Sequence, residues 1–192
     1  RVDHHGEGVL PLSVAGYDPK TLHPDGEIII DDGNLKVTAF SVIHEPIDPA
    51  FGFRFDYKGR SIVISGDTLY SENLVNNSMG VDVLFHDAIS LDTVHMLREF
   101  TFEQNNKTLT KVLDDIQTYH ENTIRVAELA NEVEARYLIY YHLIPSPRSF
   151  LAEMLWTRGI NEVRSNNWML SEDGTLVILP VGTDEIIIST ID

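Results

Sequence analysis

The sequence predicts an α/β domain in which strands alternate with helices around one sheet. Two segments, residues 61–65 and 81–85, carry short runs of apolar residues, which are typical of strands covered on both faces. Two later segments repeat apolar residues at helical spacing, which indicates amphipathic helices. Because the strand and helix patterns follow one another along the chain, they indicate a layered α/β arrangement.

The first half of the chain is predicted to consist mainly of strands. Residues 1–26 are rich in Gly, Pro and Asp and are predicted to be irregular. Lys58-Gly59 predicts a turn between two strands, and Ser71 is a suitable N-cap for a short helix. Strands are predicted, in order, over 27–30, 35–43, 51–57, 61–65 and 81–85.

The second half begins with helices on both sides of His120. Leu109, Val112, Leu113 and Ile116 are spaced at i, i+3, i+4 and i+7, and residues 126–133 repeat that spacing. The remaining predicted elements are a strand over 137–141, a helix that begins at Ser146-Pro147 and carries Phe150, Leu151, Met154 and Leu155, a hairpin around Glu172-Asp173-Gly174, and a last strand over 185–189.

Composition limits both the architecture and the partners. With 192 residues and 43% hydrophobic content, the chain is predicted to form a single domain over residues 1–192. Its 30 acidic and 14 basic residues give a net charge of -16, which repels polyanions. The composition therefore disfavours nucleic acid as a partner.

Cysteine is absent, so a metal ion could be held only by imidazole and carboxylate groups. No apolar run approaches the roughly 20 residues that span a bilayer, and the first residues have no signal-peptide character. The expectation is a soluble protein without a membrane partner, and the compartment stays open between cytoplasm and periplasm. The first residue is not Met, which suggests that the natural N-terminus lies elsewhere.

Polar side chains follow several of the predicted strands. His44, Asp67, His86 and His142 each stand where an apolar segment ends. Strand ends fix the backbone while the following loops leave side chains exposed, so functional groups collect there. Two imidazoles and a carboxylate gathered at one edge would suit zinc, manganese or iron.

Four segments carry a resemblance to a known family. VTAFSVIHEPIDPAFGFRF, GRSIVISGDT, VDVLFHDA and YHENTIRVAELANEVEARYLIYYH, in this order, resemble the C-terminal half of metallo-β-lactamase-fold hydrolases of the ribonuclease Z and arylsulfatase-like branch. The resemblance covers residues 35–145. It implies that the fold is the C-terminal part of a four-layer αβ/βα sandwich.

The resemblance also implies roles for individual residues. His44 would bind one metal, His142 would bind another, and Asp67 would bridge the two. His120 stands in the place of the family's His-Ser-Thr motif and would donate a proton or stabilise the transition state. Asp87, with His86 beside it, would orient His120 or a ligand by hydrogen bonding. The implied cofactors are two divalent ions, zinc first, with manganese or iron as alternatives.

One departure from the family concerns its first metal-binding motif. His-x-His-x-Asp-His does not occur in these 192 residues, and Asp3-His4-His5 has the wrong spacing to replace it. The expectation is a C-terminal portion of a longer hydrolase that is inactive alone. Its partner would be the N-terminal half of the same protein or a second copy in a homodimer.

The implied activity is hydrolysis of a small ester by hydroxide that two metals activate, in the complete protein. An aryl sulfate, a phosphodiester or a lactone is favoured, because only 22 residues (45 to 66) separate His44 from Asp67, where ribonuclease Z carries a long insertion. The charge of -16 points the same way. The alternatives are a tRNA 3′-end processing endonuclease and a non-catalytic binding module without a complete metal site.

Overall fold

A seven-stranded mixed sheet forms the centre of the computed structural model, which describes residues 22–191. The strands lie in the sheet in their order along the chain. Neighbours from β1 to β4 run antiparallel, and those from β4 to β7 run parallel. The strands are β1 (Gly26–Asp31), β2 (Leu35–His44), β3 (Ile47–Tyr57), β4 (Arg60–Ile64), β5 (Val83–Ile89), β6 (Tyr137–Ile144) and β7 (Trp168–Leu170).

Helices connect the parallel strands, and a separate pair of short strands follows the sheet. Within residues 22–191, no helix is long and apolar enough to cross a membrane. The helices are α1 (Glu72–Ser78), α2 (Leu91–Glu103), α3 (Lys107–Asp115), α4 (Thr123–Glu132), α5 (Phe150–Trp156) and α6 (Ile160–Val163), and a 3-10 turn spans Ile116–Thr118. The separate antiparallel pair consists of β8 (Thr175–Ile178) and β9 (Ile187–Thr190).

The main core lies between one face of the sheet and helices α1, α4, α5 and α6. Burial of each large apolar side chain there stabilises the fold by about 1.5–3 kcal/mol relative to exposure. Trp156 packs edge-on against Tyr140, with ring centroids 5.4 Å apart. The buried members of this core include Phe40, Val63, Leu84 and Leu138 from the sheet and Leu74, Leu129, Trp156 and Ile160 from the helices.

The opposite face of the sheet also carries apolar side chains. Phe53 pairs with Ile64, and Ile64 pairs with Phe85, so these three side chains share that face. All three are half-buried in the described part of the chain. We refer to Phe53, Ile64 and Phe85 as the second sheet face.

The α/β prediction is confirmed, and the predicted strands β1 to β4 and the helices around His120 are present with small shifts at their ends. β5 and β6 run further than the sequence predicted. His86, Asp87 and His142 therefore lie within strands rather than beyond them. The prediction ended each strand near its first polar residues. In the fold, hydrogen bonds satisfy the buried Asp87, so strand pairing continues past it.

Three predictions about the remaining chain are wrong or incomplete. Helix α2 was not predicted, because Met96 and Phe100 stay exposed and blur its apolar pattern. Helix α5 begins after Ser149, whose side chain caps it, rather than at Ser146. The hairpin around residues 172–174 does not form, because β7 pairs with β6 while β8 pairs with β9. Residues 1–21 lie outside the described residues. They include Asp3-His4-His5 and most of the segment that was predicted to be irregular.

A buried ion-pair cluster holds the C-terminal segment against the start of β4. Arg60 donates to both carboxylate oxygens of Asp82, at 3.1 and 3.2 Å, and Arg136 donates to the same group at 2.5 Å. Arg60 also donates to the carbonyl oxygens of Thr183 and Glu185. Burial alone would raise the pKa of Asp82, but the hydrogen bonds from Ser61, Arg136 and Arg60 outweigh it and lower that pKa.

Candidate metal centre

His44, Asp67 and His142 lie together at the edge of the sheet where β2, β4 and β6 end. Nε2 of His44 is 3.9 Å from Oδ2 of Asp67, and Nε2 of His142 is 3.6 Å from the same oxygen. One carboxylate oxygen thus sits within reach of two imidazoles. The side chains of Asp67 and His142 are 39% and 50% exposed, so the cluster opens to solvent. The structure brings the three residues together as predicted, and their role as ligands stays a prediction.

A tight turn after β4 presents Asp67. Gly66 has a φ of +68°, and a Cβ at this position would lie 2.7 Å from the carbonyl oxygen of Phe51, so glycine is required. Thr68, which follows Asp67, accepts a hydrogen bond from the backbone N–H of Ile43 at 3.0 Å. Leu69 donates to the carbonyl oxygen of Ile43 at 2.9 Å. These contacts tie the Asp67 loop, residues 66–70, to the strand that ends at His44.

His142 occupies a β-bulge in β6. Tyr141 pairs with Asp87 and Leu143 pairs with Ala88, which leaves His142 as the extra residue. Its φ of +46° lies in the left-handed region, which costs a non-glycine residue about 1–2 kcal/mol. Bulges of this kind re-aim a side chain. Here the bulge places the imidazole beside Asp67.

His120 joins the cluster from the segment that precedes α4. Its ring centroid lies 5.5 Å from those of both His44 and His142. The metal-binding atoms of His44, Asp67 and His120 all lie within 4.8 Å of one another. Unlike the exposed His142, His120 is buried, so the protein holds its ring in one orientation.

Asp87 supports His120 from behind. Its carboxylate accepts hydrogen bonds from Nδ1 of His120 at 2.7 Å and from the backbone N–H of Thr68 at 3.2 Å. Burial by itself would raise the pKa of Asp87, but the hydrogen bonds and charges of His120 and His86 outweigh it and lower that pKa. An ionised carboxylate only accepts, so Nδ1 of His120 carries the proton and Nε2 remains for the site.

His86 is buried on the other side of Asp87. Its Nδ1 lies 2.6 Å from the carbonyl oxygen of Asp87 and 3.2 Å from Oδ1 of the same residue. Nε2 of His86 has no hydrogen-bond partner among the described residues. The structure therefore places His86 against Asp87, and a supporting role for His86 in the site stays a prediction.

Tyr119 is a member of the site that the sequence did not reveal. Its ring centroid lies 4.8 Å from that of His44 and 4.8 Å from that of His120. Burial and the charge of Asp115 raise the pKa of its hydroxyl. The only signal in the sequence was its position next to His120. Trp156 and Trp168 lie away from this site, because both contact Tyr140 and Trp156 is buried in the core.

The donor set suits a divalent metal ion. Zinc binds His nitrogen and carboxylate oxygen at about 2.0–2.2 Å, so two ligands of one ion lie at most about 4.4 Å apart. The separations of 3.6 and 3.9 Å between the imidazoles and Asp67 fall within this limit. Nitrogen and oxygen donors without thiolate also match manganese and iron. The residues therefore fit the kind of ion that the sequence implied.

A family model described as "Beta-lactamase superfamily domain" matches residues 3–143, which is more than half of the chain. The chain belongs to the beta-lactamase superfamily. The resemblance found in the sequence is thereby confirmed for this superfamily domain. The match includes His44, Asp67, His120 and His142.

Relatives of this beta-lactamase superfamily domain include several proteins named ribonuclease Z. The ribonuclease Z of Mycobacterium avium is 28% identical over 146 residues, which cover 76% of this chain and 46% of the relative. That of Mycolicibacterium gilvum is 26% identical over 140 residues and covers 69% and 45%, respectively. The chain spans about half the length of the curated relatives that it matches.

Solved structures share the fold of this superfamily domain. The metallo-beta-lactamase fold protein YhfI from Bacillus subtilis aligns with a TM-score of 0.54 and 17% identity, covering 79% of this chain and 52% of its own. Igni18, a metallo hydrolase from Ignicoccus hospitalis, aligns with a TM-score of 0.52 and 12% identity, covering 94% and 65%. At these identities the alignments show the fold, and they confirm the predicted metallo-β-lactamase type.

Proposed function

We propose that this chain carries part of the metal centre of a phosphodiesterase that cleaves RNA, in the manner of ribonuclease Z. The observation that carries the proposal is the position of Asp67 between His44 and His142, with His120 held beside them by Asp87. The relatives named ribonuclease Z support RNA as the substrate. They favour the endonuclease alternative over the small ester that the composition suggested.

His44, Asp67 and His142 would hold the metal, with Asp67 shared between two ions and zinc as the first candidate. A divalent ion bound there would lower the pKa of a water and polarise a phosphoryl oxygen, which is the chemistry that hydrolysis of a phosphodiester requires. The arrangement of two imidazoles around one carboxylate oxygen supports a shared carboxylate. Further ligands would come from parts of the protein outside residues 22–191.

His120 would act on the leaving oxygen. Because Asp87 accepts from Nδ1, the imidazole has one orientation and one tautomer, and Nε2 is the nitrogen that donates or accepts a proton. Asp87 would stabilise the imidazolium form of His120 during that transfer, since its own carboxylate stays ionised. The ligand atoms of His120, His44 and Asp67 lie within 4.8 Å of one another, so His120 could serve as a third ligand only if these side chains move closer together. Metal affinity in a His120→Gln variant distinguishes this role from action on the leaving oxygen.

The open cluster supports a polymeric substrate. Within the described residues, Asp67 and His142 stand on an exposed rim rather than in an enclosed pocket, which supports access by a strand of RNA. The net charge of -16 opposes such binding. Metal ions at the rim and a cationic surface elsewhere in the complete protein would have to offset that repulsion.

The test uses the complete protein that contains this chain. We expect cleavage of a precursor tRNA with a 3′ extension in the presence of zinc or manganese, and we expect Asp67→Ala to abolish it along with metal binding. Asp92→Ala is the matched control, because Asp92 is exposed and pairs with Arg158. Cleavage that persists in Asp67→Ala would contradict the proposed centre.

A small ester remains the second candidate, and the observation that favours it is the charge of -16. Turnover of a chromogenic phosphodiester or aryl sulfate, without binding or cleavage of precursor tRNA at low salt, would select it. Complete protein without bound metal, measured by elemental analysis, would instead support a binding module.

The second sheet face bears on the partner of this chain. Its half-buried Phe53, Ile64 and Phe85 support the expectation that further protein covers it, either another part of the same chain or a second copy. Light scattering during size exclusion tests this expectation. We expect the 192-residue chain to dimerise or aggregate, and a well-behaved monomer would contradict the expectation.

A further inference from the structure

Glu121 joins the loop that carries Asp67 to the segment that carries His120. Oε2 of Glu121 accepts a hydrogen bond from the backbone N–H of Tyr70 at 2.8 Å, and Oε1 accepts one from the N–H of Asn122 at 2.9 Å. Both carboxylate oxygens are therefore occupied by backbone donors from two different segments. Hydrogen bonds to a carboxylate are roughly twice as strong as those between neutral groups.

The backbone of Glu121 is itself held by the sheet. Its carbonyl oxygen accepts from the N–H of Ile89 at the end of β5, at 2.9 Å. Asn122, the next residue, caps α4 by accepting from Ile124 at 2.8 Å. Glu121 is thus fixed between a strand and a helix. Its side chain therefore holds the backbone N–H of Tyr70 in place relative to that strand and that helix.

Tyr70 is anchored to α4 by its side chain as well. The hydroxyl of Tyr70 donates to Glu132 at 2.9 Å, and the guanidinium of Arg125 lies 4.5 Å from the ring centroid. Tyr70 ends the Asp67 loop, three residues beyond Asp67. The loop is therefore held at one end by Thr68 and Ile43, and at the other end by Tyr70 on α4.

We propose that Glu121 is a positioning residue of the metal centre, which holds the Asp67 carboxylate at its distance from His120. The inference rests on the proposed function, because it assigns Glu121 to the geometry of that centre. No other side chain of the described residues bonds to the N–H of Tyr70, so removal of the carboxylate breaks the direct link between this end of the loop and the segment that carries His120. The Asp67 loop then fluctuates, and ligand atoms that must share an ion lose their fixed separation.

The experiment compares zinc affinity and amide hydrogen exchange in the complete protein that contains this chain and in its Glu121→Ala variant. We expect zinc affinity, measured by competition with a chromophoric chelator, to fall about 10–100-fold. Exchange at Thr68 and Leu69, whose N–H groups donate to Asp87 and Ile43, should become faster when measured without metal. Glu121→Gln keeps one acceptor oxygen for Tyr70 and should restore most of the affinity and the slow exchange.

Two controls separate positioning from general destabilisation. Glu153→Ala removes an exposed carboxylate from α5 and should leave zinc affinity and exchange in the loop unchanged. Asp92→Ala removes a second exposed carboxylate, which pairs with Arg158, and should behave in the same way. A uniform rise in exchange over the whole Glu121→Ala chain would indicate unfolding. In that case, recovery of zinc affinity and of slow exchange in Glu121→Gln would support the positioning role, and their continued loss would contradict it.

The outcomes distinguish this inference from the proposed function. Complete wild-type protein that binds zinc, together with Glu121→Ala that binds it equally well, would overturn the role of Glu121 alone. Complete wild-type protein that binds no metal would count against the proposed centre. In that case, unchanged exchange at Thr68 and Leu69 in Glu121→Ala would overturn the positioning role, and faster exchange there would support it.

Discussion

The carboxylate of Asp87 lies 2.7 Å from Nδ1 of His120, and both residues are buried behind the rim that carries Asp67 and His142. The pairing selects one tautomer of His120 and turns its other nitrogen to the site. Thr68 donates to the second oxygen of Asp87, so the same carboxylate contacts the Asp67 loop and His120, the proposed proton donor. The buried carboxylate of Asp87 therefore links two parts of the candidate centre by hydrogen bonds.

Replacement of Asp87 by Asn should reduce turnover with little loss of metal. The amide keeps the size of Asp87 but cannot stabilise an imidazolium, so we expect kcat for the phosphodiester substrate to fall about 100-fold or more. Steady-state kinetics of the complete protein, with metal content measured in parallel, provide the check. Asp92→Asn serves as the exposed control. An unchanged kcat would show that His120 does not depend on Asp87.

The left-handed backbone of His142 predicts an unusual order of stabilities. Glycine adopts a φ of +46° without steric cost, so His142→Gly should be about 1 kcal/mol more stable than His142→Ala. Both variants should lose metal affinity, because both lack the imidazole. Urea denaturation and zinc titration measure the two effects. Equal stability of the two variants would mean that the bulge relaxes when the ring is removed.

The turn at Gly66 allows a matched comparison with Gly59. Both glycines have positive φ, at +68° and +83°, but only at Gly66 would an added Cβ meet backbone, at 2.7 Å from Phe51. Gly59→Ala should cost roughly 1 kcal/mol from the backbone alone. Gly66→Ala should cost more and should also weaken metal binding, since the turn that presents Asp67 must shift. Equal costs would contradict the close approach to Phe51.

The lowered pKa of Asp82 predicts how the fold responds to acid. A depressed carboxyl pKa contributes stability that is present above the ordinary value of 3.8 and is lost as the pH falls through the lowered value. Asp82→Asn should therefore destabilise the chain at pH 7 by about 3 kcal/mol, because Arg60 loses its partner inside the protein. Denaturation at pH 7 and near pH 3 checks this, and the difference between variant and wild type should shrink at the lower pH.

Local sequence patterns predicted much of the fold and the identity of the candidate ligands. Alternating and continuous apolar runs located β2 to β4, and helical spacing located α3 and α4, because each pattern depends on neighbours within one element. His44 and Asp67 could be singled out because the strands before them are recognisable. Helix α2 escaped prediction because its exposed Met96 and Phe100 do not follow a buried stripe.

By itself, the sequence determined the α/β class, the superfamily and the residue types that could bind a metal, since these follow from local periodicity and from motif order. Tertiary structure alone decided the bulge that turns His142 toward Asp67, the pairing of Asp87 with His120 and the tie between Glu121 and Tyr70. Each of these joins residues far apart in the chain. Such contacts depend on strand register and on packing, which no local pattern encodes.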